Sequence, residues 1–98
     1  MSMDEIIRKE ARLVMLRELD GQPDGRLNSA LLQTVLESYG ISKTRDWVHD
    51  ELNWLADKSA VTVREMGSVR IASISQKGRD HVERRHVIEG VKRPSVEG

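Results

Sequence analysis

The stretch Gly40 to Val63, GISKTRDWVHDELNWLADKSAVTV, constrains this chain most. A short apolar-striped segment stops at Gly40, a few residues intervene, a longer striped segment follows, and Val61-Thr62-Val63 opens a β-rich run. In the longer segment Val48, Leu52 and Leu55 recur at helical spacing as an inner seam, which Trp47, Trp54 and Ala56 widen. Ser42 is placed to cap this helix, which gives a span of about Lys43 to Lys58. Any fold must bury that seam and leave the opposite side of the helix to solvent or to a partner.

Upstream, Met3 to Leu19 holds no Gly or Pro and is rich in strong helix formers. Its apolar residues spread wide: Met3, Ile6, Ile7, Leu13 and Val14 share one side, while Ala11, Met15, Leu16 and Leu19 reach around it. Glu10 and Arg17 fall inside the main arc. Two readings are open there. Either these charges sit at the rim and pair locally, or a second copy completes a homodimer interface of Ile6, Glu10, Leu13, Leu16 and Arg17. With 38% apolar residues and no Phe the core is thin, which suits the second reading. The cluster Asp20 to Arg26 ends this helix. Leu27 and Asn28 then read as a staple and a cap for a second helix, whose stripe is Leu31, Leu32, Val35, Leu36 and Tyr39. Gly40 supplies its left-handed stop, with Ile41 packing back.

Downstream, AVTVRE and SVRIASI read as a hairpin turning at Met66-Gly67. Val61, Val63, Val69 and Ile71 are expected to face the helices, with Thr62, Arg64 and Arg70 outward; the alternation slips near Ala72 to Ile74. Ser75 caps a last helix, QKGRDHVERRHVI, ended by Gly90. Gly78 inside it costs about 1 kcal/mol relative to Ala and so points to close approach of another backbone. Residues 1–89 are expected as one domain and 90–98 as a disordered tail.

The expected class is α+β, mainly helical: three helices, a two-stranded β-hairpin wing and a C-terminal helix, an order that resembles the winged helix-turn-helix. The run from Tyr39 to Val61, with Asp50-Glu51-Leu52-Asn53-Trp54-Leu55 inside it, the Ser75-Gln76-Lys77-Gly78 helix start and the Gly90-Val91-Lys92-Arg93-Pro94-Ser95 tail together resemble a family of small proteins of Mu-like phages and prophages. These proteins are often labelled ArsR-like. The resemblance implies fold and phage origin and brings no activity with it. Metal sensing of the ArsR kind needs Cys or clustered His and acid ligands, and this chain has no Cys.

Charge is balanced at 16 basic and 16 acidic residues, which excludes bulk adhesion to polyanions, so distribution matters more than total. Residues 1 to 59 hold 8 basic and 11 acidic side chains and residues 60 to 98 hold 8 and 5, which makes the C-terminal part the one to meet a polyanion. For double-stranded DNA the candidates are Lys43, Thr44, Arg45, His49 and Asn53 on the long helix, Arg64 and Arg70 on the wing, and Arg79, Arg84 and Arg85 beyond it. Arg45 suits guanine and Asn53 adenine. Against this stand Asp46, Asp50, Glu51 and Asp57 on the same helix, since carboxylates repel a phosphate backbone.

The alternative is an adaptor that uses those acids and the two Trp on a protein partner. No nucleophile elbow, phosphate loop or dinucleotide fingerprint occurs, and the three His lack metal-site spacing. Neither an enzyme nor a cofactor is expected. No apolar run approaches a membrane span, and the acidic N-terminus is unlike a signal peptide, so the expected location is the cytoplasm, that of the host if phage-encoded.

Overall fold

The computed structural model describes residues 1–95. It is an α+β arrangement, about half helical, of four helices and one three-stranded antiparallel sheet. Helix α1 spans Met3–Asp20, capped by the Ser2 hydroxyl accepting from the Glu5 amide, with Asp4 and Glu5 in the first turn where the helix dipole favours anions. A turn through Gly25 (φ 69°) leads into β1, Arg26–Asn28. The Asn28 side chain then caps α2, Ser29–Ser38, as expected.

The stop at Gly40 (φ 82°) is of the Schellman kind: the Ile41 amide donates to the Leu36 carbonyl and the Gly40 amide to that of Glu37. Ile41 is buried behind it. Helix α3 begins later than Ser42 implies. It spans Arg45–Asp57, and Thr44 is its cap, accepting from the Trp47 amide at 3.1 Å. The connection stays non-helical through Lys43, whose carbonyl accepts from Gln33 Nε2 at 2.9 Å.

Ser59 (φ 63°) reverses the chain after α3, and strands β2, Val61–Met66, and β3, Val69–Ile74, follow. The hairpin turn is Gly67-Ser68, one residue later than expected, with Gly67 (φ 60°) where a type II′ turn requires it. The sheet order is β1-β3-β2. Strand β1 was not expected, because three residues carry no legible alternation.

Register settles which residues face the helices. Val61 pairs with Ile74, Val63 with Ala72 and Arg64 with Ile71. Cross-strand partners share a face, so Val61, Val63, Leu27, Ala72 and Ile74 look inward, and Arg70 is in phase with them. Val69 and Ile71 are on the outer face, contrary to expectation. The slip at Ala72 to Ile74 is therefore the true phase of β3.

Helix α4, Gln76–Val82, is shorter than expected. Ser75 caps it, and Arg84 (φ 63°) ends it where the expected helix would have continued to Ile88. The chain reverses because Ile88 and Val91 bury themselves in the core. His81, 1% exposed, fixes that return. Its Nδ1 accepts from the Ile88 amide at 3.0 Å, so the proton sits on Nε2, which donates to the Lys92 carbonyl at 2.9 Å. Residues 90–92 are thus packed on the domain, contrary to the expectation of a free tail from Gly90; residues 96–98 of that expectation lie outside the described residues.

The C-terminal return also explains the wide apolar arc of α1. Leu13 and Leu16 are 1% and 0% exposed within this chain's own core. Glu10 pairs with Lys92 at 2.8 Å, and the Lys92 amide donates to the Lys9 carbonyl. Of the five residues expected at a dimer interface, two are core and one holds the C-terminal segment. Ile6 is exposed and Arg17 half-buried.

Candidate interaction surface

Turning 100° per residue along α3 places Val48, Leu52 and Leu55 on the core side, each 0% exposed. Opposite them lies a ridge of Asp46, Asp50, Asn53 and Asp57, all exposed. None of the three aspartates has an ion pair among the described residues, every ion pair of which involves other carboxylates. Glu51, the fourth acid of this helix, is not on the ridge. It is 2% exposed and takes Arg12 Nε on one oxygen and an Arg8 guanidinium nitrogen on the other, both at 2.6 Å. Arg12 also donates to the Gly90 carbonyl at 2.9 Å and stacks 3.7 Å from the Trp54 ring. Both Trp side chains are partly buried with cations over their rings, Arg8 and Lys43 at Trp47, Arg12 and Lys58 at Trp54. Each ring thus packs against the core on one side and carries cations on another.

The expected DNA-contacting residues on the other flank of α3 are largely tied down. Arg45 Nε donates to Gln33 Oε1 at 2.8 Å, and Thr44 is spent as the cap. His49 Nε2 lies 2.7 Å from Ser29 Oγ, which also accepts the Arg70 amide at 3.0 Å. Burial, then the neighbouring Arg70 and Arg45 charges, push the His49 pKa below its ordinary value. Arg70 does not face outward: its guanidinium donates to Asn53 Oδ1 at 3.1 Å and lies 3.9 Å from Glu65. Ser29 and Gln33 organise this flank, and nothing in an α2 stripe marks such polar residues in advance.

Of the two wing arginines, Arg64 is the exposed one and has no ion pair or side-chain hydrogen bond among the described residues; it lies on the outer sheet face beside Ile71. Arg79 lies within α4 and Arg84 and Arg85 just beyond it, past the end of the hairpin where Val61 meets Ile74, while Arg64 and Arg70 lie toward its tip. Arg79 is paired with Asp20 at 2.7 Å, and Arg85 with Asp80 and Glu83. The structure therefore does not gather the ten candidates into one positive belt. No group of three or more His, Cys, Asp and Glu residues able to hold a metal occurs among the described residues, and none of their helices is long and apolar enough to cross a membrane.

With four helices, a three-stranded sheet and an acidic ridge on α3, the chain is a small α+β protein with a relative in a phage. It is 34% identical over 92 residues to a protein of Escherichia phage Mu described as uncharacterized protein gp26, spanning 94% of this chain and 95% of that one. An uncharacterized protein of Haemophilus influenzae is 32% identical over 78 residues, 79% of this chain and 76% of its own. The chain belongs to the family of the Mu protein gp26. No known family profile and no solved structure matches it.

Proposed function

We propose that this is a winged-helix interaction module of a Mu-like phage, in which α3 presents its acidic ridge to a cationic surface on a protein partner. The single observation that carries this reading is that Asp46, Asp50 and Asp57 are all exposed on one side of α3 and uncompensated. At the spacing of a phosphate backbone such a ridge repels, and one aspartate accepting from cytosine does not recover the cost of the other two. On a Lys- or Arg-bearing partner the same ridge steers encounter and sets register. The winged-helix assignment rests on the element order α1-β1-α2-α3-β2-β3 and the sheet order β1-β3-β2.

A second reading, a double-stranded DNA-binding transcriptional regulator, is favoured by one feature, the exposed Arg64 on the wing, which has no partner among the described residues. Salt-titrated binding to duplex DNA separates the two. The adaptor reading expects no saturable binding at low ionic strength from the wild type. Saturable binding with a negative salt slope, weakened by Arg64→Ala, supports DNA.

A further inference from the structure

A cavity of about 220 Å³ lies between the end of α4 and the returning C-terminal segment. His81, Arg84, His86, Val87, Arg93 and Pro94 line it. The lining contains no acid. The acids of this stretch are engaged or elsewhere: Asp80 and Glu83 are both held by Arg85, and Glu89 does not line the cavity. Arg84 and Arg93 have no ion pair or side-chain hydrogen bond of their own among the described residues. Two guanidinium groups and two imidazoles thus border one small concavity with nothing negative among its described lining residues, while Val87 and Pro94 give it an apolar wall.

Arg84 is also held at a backbone cost. It occupies the left-handed position after a helix, φ 63°, where α2 uses Gly40 and where a side chain is disfavoured. An arginine side chain at a site that favours glycine is a local departure of the kind that accompanies binding sites. Guanidinium groups suit phosphate oxygens because their planar N–H forks match them. The volume is below that of a drug-sized pocket, roughly 300–1,000 Å³, and so suits a phosphate group with a small apolar extension.

We infer that this cavity is a binding site for a phosphate group, held by Arg84 and Arg93 with His86 at its edge. It is independent of the α3 ridge, and neither proposal needs the other. The test is a titration of the full chain, followed by amide chemical shifts, with inorganic phosphate in one arm and a nucleoside 5′-monophosphate in the other. The expected result is saturable shifts centred on Arg84, His86, Val87 and Arg93. Equal affinity in the two arms assigns the site to free phosphate. At least fivefold tighter binding of the nucleotide assigns it to a phosphorylated small molecule lying along Val87 and Pro94. Arg84→Gly is the informative variant, because glycine relieves the backbone at this position and the protein stays folded; it should weaken binding at least tenfold, as should Arg93→Gln. Shifts that do not saturate, or unchanged affinity in Arg84→Gly, overturn the inference.

Discussion

Glu51 and Asp50 are neighbours on α3 with opposite fates. Glu51 is buried between two arginines, and removing one partner of such a group leaves the other charge stranded, at a cost of about 3 kcal/mol or more. Most of that falls on Arg12, since Arg8 is more exposed and better screened. Urea unfolding should therefore show Glu51→Gln losing about that much, while Asp50→Asn stays within roughly 0.5 kcal/mol of wild type. A second prediction concerns His49. Its folded pKa lies below the 6.5 of an exposed histidine, so the unfolded chain takes up a proton that the folded state resists. Stability contributed by the neutral ring is fully present above pH 6.5 and is lost as pH falls from there through the lowered folded value. His49→Gln should flatten that part of the stability-versus-pH curve. Sequence alone places His49 on the outward face of α3 and counts Glu51 with the acids of that helix. Helical phase sets Glu51 off the ridge but could not show it buried and paired, because the arginines that hold it come from α1.

At the scale of elements, backbone geometry makes two predictions of opposite sign. Ser59 ends α3 at φ 63°, with the Ala60 amide donating to the Leu55 carbonyl, so Ser59→Gly should stabilise the fold by about 1 kcal/mol in thermal or urea unfolding. Gly78 in α4 invites the reverse error. Helix propensity alone makes Ala about 1 kcal/mol better there. A Cβ at this position, however, would press into the Ala60 carbonyl oxygen and lie 2.8 Å from Ile74 Cγ1, so Gly78→Ala should destabilise by roughly 1–3 kcal/mol. The close approach was legible from a glycine in a helical pattern. So were the α2 cap at Asn28 and its stop at Gly40, because both are local chemistry. What was not legible depended on distant pairing. Strand β3 was read one residue out of phase because Arg70, an inward position, looks polar until Ser29 and Asn53 are seen to hold it. Strand β1 exists only because β3 lies beside it.

At the scale of the molecule, the C-terminal return decides more than its length suggests. It closes over α1 through Ile88, Val91 and the Lys92–Glu10 pair, and so covers much of the face on which a dimer was expected. The protein should therefore sediment with the mass of a monomer, 11.2 kDa, and a sedimentation mass near twice that would revive the α1 interface. Seen whole, α3 is supported on three sides and offers its acidic ridge on the fourth. The most direct test places a photo-crosslinking amino acid at Asp50 and irradiates cells in which the phage genes are expressed. A nuclease-resistant protein adduct, lost when Asp46→Asn and Asp57→Asn neutralise the rest of the ridge, is the predicted result; a nuclease-sensitive adduct to DNA would contradict it.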